Sequence, residues 1–241
     1  MPSAPIAARR TALLCCRPCI TSIEEAGSGR FPDQTKVSGM HDGALTVSIA
    51  GRVVENNHQH KLTKRPMQYA PAITFRFAEP HDANAIRTIE FEAGQRFVSV
   101  GMAGIADAPP MEPELVGRKI TAREIIVAVD TDGKCAGFVM FEQQPARLYV
   151  QELDVLTSHA GRRIGAALIE QVAHLARARR LTQLILSTFR EVPWNAPYYR
   201  RIGFRDIEEA ELDATLLARR DAHIARGLDE SKRVFMRRDL A

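Results

Sequence analysis

The stretch Leu148–Phe204, LYVQELDVLTSHAGRRIGAALIEQVAHLARARRLTQLILSTFREVPWNAPYYRRIGF, decides the fold of this chain. It reads as an apolar strand, a basic turn, a long helix, a second strand and a short helix, because runs of strand length flank a segment with helical periodicity. Ile164, Leu168, Val172, Leu175 and Ala176 mark the long helix, placed by the spacing from about Arg163 to Arg179. The strand before it, Arg147–Val155, carries Glu152 and Asp154 at the end that meets the turn. Strict alternation puts Leu148, Val150, Glu152 and Asp154 on one face and Tyr149, Gln151, Leu153 and Val155 on the other, unless a bulge shifts the phase.

The turn itself, Arg162-Arg163-Ile164-Gly165-Ala166-Ala167, has anion chemistry. A helix start leaves about four backbone N–H groups unpaired and carries the positive end of the helix dipole. Gly165 and the two alanines let a ligand approach that backbone, while Arg162 and Arg163 offer charge and paired donors. The arrangement suits the pyrophosphate of a phosphorylated cofactor. Arg-x-x-Gly-x-Ala is short, however, and a basic turn entering an ordinary amphipathic helix has the same pattern.

A second block narrows the reading. Trp194-Asn195-Ala196-Pro197-Tyr198-Tyr199-Arg200-Arg201-Ile202-Gly203-Phe204 follows the strand Gln183–Thr188, with Pro197 in a first helical turn and Gly203 after the helix end. Together the two blocks resemble the GNAT superfamily of N-acetyltransferases, whose signature Gln/Arg-x-x-Gly-x-Gly/Ala lies between a central strand and a long helix. The resemblance extends in element order from Ile73 to about Leu240 and is specific over Leu148–Phe204. It implies an α/β (α+β) fold: a mixed, largely antiparallel sheet with splayed central strands, flanked by helices.

The same resemblance implies acetyl-CoA as cosubstrate, with no metal. Amides of Ile164, Gly165, Ala166 and Ala167 would hold its pyrophosphate, helped by Arg162 and Arg163, and backbone at Leu153 and Val155 would pair with the pantetheine arm. Asn195 matches the family's cofactor-contacting Asn, at a shorter spacing to Tyr199 than usual. Tyr199, four residues before Gly203, stands at the usual general-acid position, and a phenol stays protonated at neutral pH. Glu152 is the candidate base, with Asp154 and Glu191 behind it; some members place a Glu in the following strand, where Ser187 stands here. His159 reads as a loop-capping residue, His174 as part of a solvated helix face, and Trp194 as a packing anchor beside the cleft.

Outward from this stretch, Ile73–Phe77 alternates as a half-buried strand, and a helix follows from His81 or Asp82 to about Phe97, with Ala85, Ile86, Ile89 and Ala93 on one face. Gly101–Pro113 is rich in Gly, Ala and Pro and reads as a mobile connection without structure of its own, so Phe97–Ile120 is expected to border the substrate. Glu124–Asp130 and Cys135–Glu142 form a hairpin around Asp132-Gly133, and Arg147–Val155 completes an antiparallel meander. A helix over about Asp213–Arg226 and a strand over Arg233–Asp239 end the domain, which is assigned to residues 71–241. Residues 1–70 show no sustained period and are expected to be a disordered leader.

Charge and cysteine usage exclude other classes. The net charge of +4 comes from residues 1–66, which hold nine Lys or Arg and five Asp or Glu, leaving 24 of each in 67–241. A neutral domain has no field for a long polyphosphate backbone, so no nucleic-acid partner is expected. No run approaches a membrane span. Cys15, Cys16 and Cys19 lack the spacing of a zinc set, and Cys135 reads as a small core thiol in a cytoplasmic protein. The expected partner is a small-molecule or peptide amine, and a homodimer is compatible with the sequence. Two functions follow: acetyl transfer to a primary amine by direct attack, or a non-catalytic CoA-binding regulatory or interaction module. A nucleotide-binding enzyme ranks below both, since neither phosphate-loop fingerprint is present.

Overall fold

The computed structural model describes residues 72–240; the expected leader over 1–70 lies outside them. Seven strands form one sheet in the order β1-β2-β3-β4-β5-β7-β6. These are β1 Thr74–Phe77, β2 Ile125–Val129, β3 Cys135–Gln144, β4 Arg147–Val155, β5 Gln183–Phe189, β6 Arg205–Asp206 and β7 Arg233–Asp239. Every neighbouring pair is antiparallel except β4 and β5. That exception follows from the connection: β4 and β5 are joined by the crossover helix α4, Ile164–Ala178, which returns the chain to its starting edge.

Helices cover both faces. On one face α4 buries Ile164, Leu168, Ile169, Val172, Ala173 and Ala176 against β3, β4 and β5, joined by Ala196 and Tyr199 of α5, Ala196–Arg201. On the other, α1 (Ala83–Gly94) and α3 (Pro113–Thr121) close over β2 and β3 through Ile86, Ile89, Leu115, Val116 and Ile120. Leu216 of α6, Ala214–Ala225, closes over Tyr149, Ile185 and Phe235. With both faces covered, β2 is the continuous apolar run Ile-Ile-Val-Ala-Val, buried throughout.

Two sequence expectations change here. The stretch Gly101–Pro113 is not wholly without regular structure: a single helical turn, α2 (Ala103–Ala106), buries Ile105 and Ala106, and Pro113 starts α3 in its first turn. Short elements of this kind are fixed by burial, which local periodicity does not register. The second change concerns β4. Its register with β3 runs Phe141↔Val150 and then Met140↔Glu152, so Gln151 is the extra residue of a bulge. Val150 therefore faces α4, and so do Leu153 and Val155 beyond the bulge, while Glu152 and Asp154 turn to the α1 face opposite Met140 and Phe138. Gln151, fully buried, donates its side-chain amide to Glu142 at 2.6 Å.

β3 and β4 also run close together at Gly137, which pairs with Val155. A Cβ there would lie 2.7 Å from the Asp154 carbonyl oxygen and 3.2 Å from Val155 Cα, both backbone atoms that cannot swing aside. Gly137→Ala is expected to cost about 1–3 kcal/mol as overpacking, read as a melting temperature lower by about 2–4 °C per kcal/mol. An unchanged melting curve would show slack between these strands.

Candidate active site

β4 and β5 pair only through Arg147–Tyr149 and Gln183–Ile185, although they continue to Val155 and Phe189. Beyond Tyr149 they part. The gap passes through the sheet, so residues packed on opposite faces line one cleft of about 360 Å³. Leu153 and Val155 form its β4 wall, Ile164 and Gly165 one end, and Asn195, Tyr198 and Tyr199 the α5 wall. This is the splayed-strand opening expected from the resemblance.

The end formed by α4 has the features that an anion site needs. Gly161 (φ 77°) and Arg163 (φ 60°) both adopt the left-handed conformation, costly for arginine, and so turn the chain into the helix. No side chain caps α4, whereas Asp213 Oδ1 caps α6 by accepting the Leu216 N–H at 3.0 Å. Arginines at the positive end of an uncapped helix are electrostatically unfavourable alone and favourable with an anion between them. Gly165 has a further reason to lack a side chain: a Cβ would sit 2.9 Å from the Tyr198 hydroxyl. Of the residues expected at this end, Arg163, Ile164 and Gly165 line the cleft, whereas Arg162, Ala166 and Ala167 do not. The Ala167 N–H is committed to the first intrahelical bond, 3.0 Å to the Arg163 carbonyl.

Glu152 and Tyr199, each 3% exposed, both line the cleft. They reach it from opposite faces, Glu152 because of the bulge and Tyr199 from the α4 side, where its ring meets Tyr198 and Phe204 edge-on at 5.5 Å. Asn195 also lines the cleft, and its side-chain amide donates to Thr188 Oγ1 at 2.6 Å, which ties the start of α5 to β5. Burial raises the Tyr198 phenol above the ordinary range, while Arg201 and Arg163 pull it back.

Among the other candidates, Asp154 and His159 line the cleft, and Glu191 and His174 are exposed outside it. Ser187 is buried on β5, its hydroxyl accepting from Arg233 at 3.1 Å. Cys135, half-buried, donates to Asp82 at 3.3 Å; burial and that carboxylate push its thiol up to about 12, so at neutral pH it is not a thiolate. Among the described residues no group of three or more His, Cys, Asp or Glu could hold a metal, and no helix is long and apolar enough to cross a membrane.

Sequence reasoning missed Glu90. It stands on α1, 2% exposed, lines the cleft, and holds the Met111 N–H at 2.8 Å. Its signal was present: Glu90 interrupts the buried stripe Ile86, Ile89, Ala93, and a carboxylate on an apolar face needs a reason. Phe97 and Ile105, from the stretch expected to border the substrate, line the cleft beside Trp194. Trp194 meets the Phe97 ring at 5.6 Å and carries Arg96 over its face at 4.4 Å.

A sheet split around an uncapped helix start, with a carboxylate and a tyrosine in the split, is the arrangement that the resemblance to the acetyltransferases implies. The model of the acetyltransferase (GNAT) family matches residues 96–204. Streptothricin acetyltransferase of Streptomyces lavendulae is 33% identical over 155 residues, covering 54% of this chain and 80% of that protein. A GNAT-family acetyltransferase from Staphylococcus aureus superposes with a TM-score of 0.54 at 14% identity, over 70% of this chain and 100% of the other. N-acetylglutamate synthase from Neisseria gonorrhoeae, complexed with coenzyme A and N-acetyl-glutamate, gives 0.53 at 17% identity over 70% of this chain, which spans only 35% of the synthase. At these identities the two structures speak for the fold. The chain belongs to the GNAT acetyltransferase family: it is an acyl-CoA-dependent N-acetyltransferase with acetyl-CoA as cosubstrate.

Proposed function

We propose that this protein acetylates a primary amine by direct attack on the thioester, with Glu152 as base and Tyr199 as acid. The observation that carries this is the meeting of Glu152 and Tyr199, from opposite faces of the sheet, in a cleft that ends at the uncapped start of α4. In this reading the Ile164, Gly165 and Ala166 amides, with Arg162 and Arg163, bind the pyrophosphate, and backbone at Leu153 and Val155 guides the pantetheine arm into the gap. Asn195 acts through α5, which it fastens to Thr188. Glu152 accepts a proton from the ammonium or attacking amine; the nitrogen–carbon bond forms as the carbon–sulfur bond breaks, and Tyr199 gives its proton to the departing sulfur. No covalent acyl-enzyme is required, and the Cys135 thiol, bonded to Asp82 and outside the cleft lining, is not placed to form one.

Acetyl-CoA at about 100 times its dissociation constant is expected to stabilise the fold by roughly 2.7 kcal/mol, whereas ATP and NAD should not. Transfer is then assayed with streptothricin, for which the Streptomyces relative is named, beside simple primary amines. Acetyl-CoA binding with no turnover on any amine would return the protein to a binding module.

A further inference from the structure

Seating a pyrophosphate at the start of α4 leaves one nearby cation unused. Arg201, the last residue of α5, is exposed and has no carboxylate partner among the described residues. Its neighbours are neutralised within the chain: Arg200 pairs with Asp206 at 2.7 Å, Arg237 with Glu211 at 2.7 Å and Arg238 with Glu170 at 2.6 Å. Arg201 instead stands over the ring of Tyr198, 5.8 Å from its centroid. The Tyr198 hydroxyl in turn reaches the start of α4, where a Cβ on Gly165 would lie 2.9 Å from it. Burial raises this phenol while Arg201 and Arg163 draw it back, so both guanidinium charges lie near it. Arg163, too, has no carboxylate partner among the described residues. Two such cations beside the positive end of a helix are unfavourable until anions join them. Acetyl-CoA brings two anionic groups, the pyrophosphate and a separate phosphomonoester on its ribose.

We propose that Arg201 binds the ribose phosphate of acetyl-CoA and so makes the enzyme select the complete cofactor over the analogue that lacks this group. This rests on the pyrophosphate seat proposed above. One side-chain ring, that of Tyr198, separates Arg201 from the start of α4, and one sugar separates the two anionic groups in the cofactor. A guanidinium suits a phosphomonoester, which accepts paired, charge-assisted hydrogen bonds from it. The position of Arg201 agrees with this role: it is exposed and does not line the cleft, so it can reach the end of the cofactor that stays outside.

The test measures the binding of coenzyme A and of dephospho-coenzyme A, which lacks only the ribose phosphate, by titration calorimetry on the full-length protein. The wild type should bind coenzyme A about five- to tenfold more tightly, the effect of one charged hydrogen bond at an exposed position. That ratio should shrink as salt is raised. In Arg201→Met, which keeps an apolar stem over Tyr198, coenzyme A should weaken to the level of dephospho-coenzyme A, whose own affinity stays unchanged. Arg201→Lys should restore part of the ratio. Arg200→Met should keep the ratio, because that guanidinium is committed to Asp206. Arg163→Met should weaken both ligands alike. Equal binding of the two ligands by the wild type overturns the proposal, as does a ratio that survives Arg201→Met or is lost only in Arg163→Met. Equal and tight binding would leave the pyrophosphate seat standing, whereas failure of both ligands to bind the wild type would remove that seat as well.

Discussion

Tyr199→Phe should lower kcat by about 10²- to 10⁴-fold, the usual contribution of a positioned general acid, with little change in acetyl-CoA affinity. The variant isolates chemistry from packing. Tyr199 is 3% exposed and its ring is fixed edge-on against Phe204 and Tyr198, contacts that phenylalanine keeps. What is lost is the hydroxyl, and with it the proton for the departing thiolate. Tyr198 is the necessary control, because its hydroxyl reaches the start of α4 beside Gly165 and it lines the same cleft. Tyr198→Phe should act mainly on acetyl-CoA KM. A large kcat loss in Tyr198→Phe with none in Tyr199→Phe would move the acid one residue back along α5.

The parts of the fold and site legible in the sequence were those decided locally. The apolar stripe of α4, the Asp132-Gly133 hairpin and Pro197 at the start of α5 follow from periodicity and turn chemistry, and the structure carries them within a residue or two. The helix start at one end of the cleft was legible for the same reason, since a helix start gathers consecutive amides without help from distant chain. Non-local features were not. β7 inserts between β5 and β6, pairings no local pattern records. Glu90 comes to line the cleft only when α1 packs against β4. Small helices such as α2 have too few residues to set up a period. The phase of β4 turned on one extra residue, Gln151, whose need is imposed by β3 and by Glu142.

That single residue controls the last and most diagnostic expectation. Without the bulge, Glu152 would point towards α4 with Leu148 and Val150; with it, the carboxylate faces α1 and lines the cleft. Glu152→Gln preserves size and hydrogen-bonding atoms on a buried strand, so the fold should persist while the base is lost, with turnover at neutral pH falling by about 10²- to 10⁴-fold. The defect should shrink as pH rises. An alkyl amine has a pKa of about 10.4 by analogy with lysine, so hydroxide progressively supplies the free amine that Glu152 otherwise generates, and variant rates should climb roughly tenfold per pH unit below that value. Wild-type rates should climb less steeply over the same range, so the two profiles converge. Parallel profiles, with the variant slower by a constant factor at every pH, would mean that Glu152 positions the acceptor without taking its proton. Asp154→Asn would then be the variant to test for the base, since Asp154 shares the face and the cleft while Glu191 is exposed outside it.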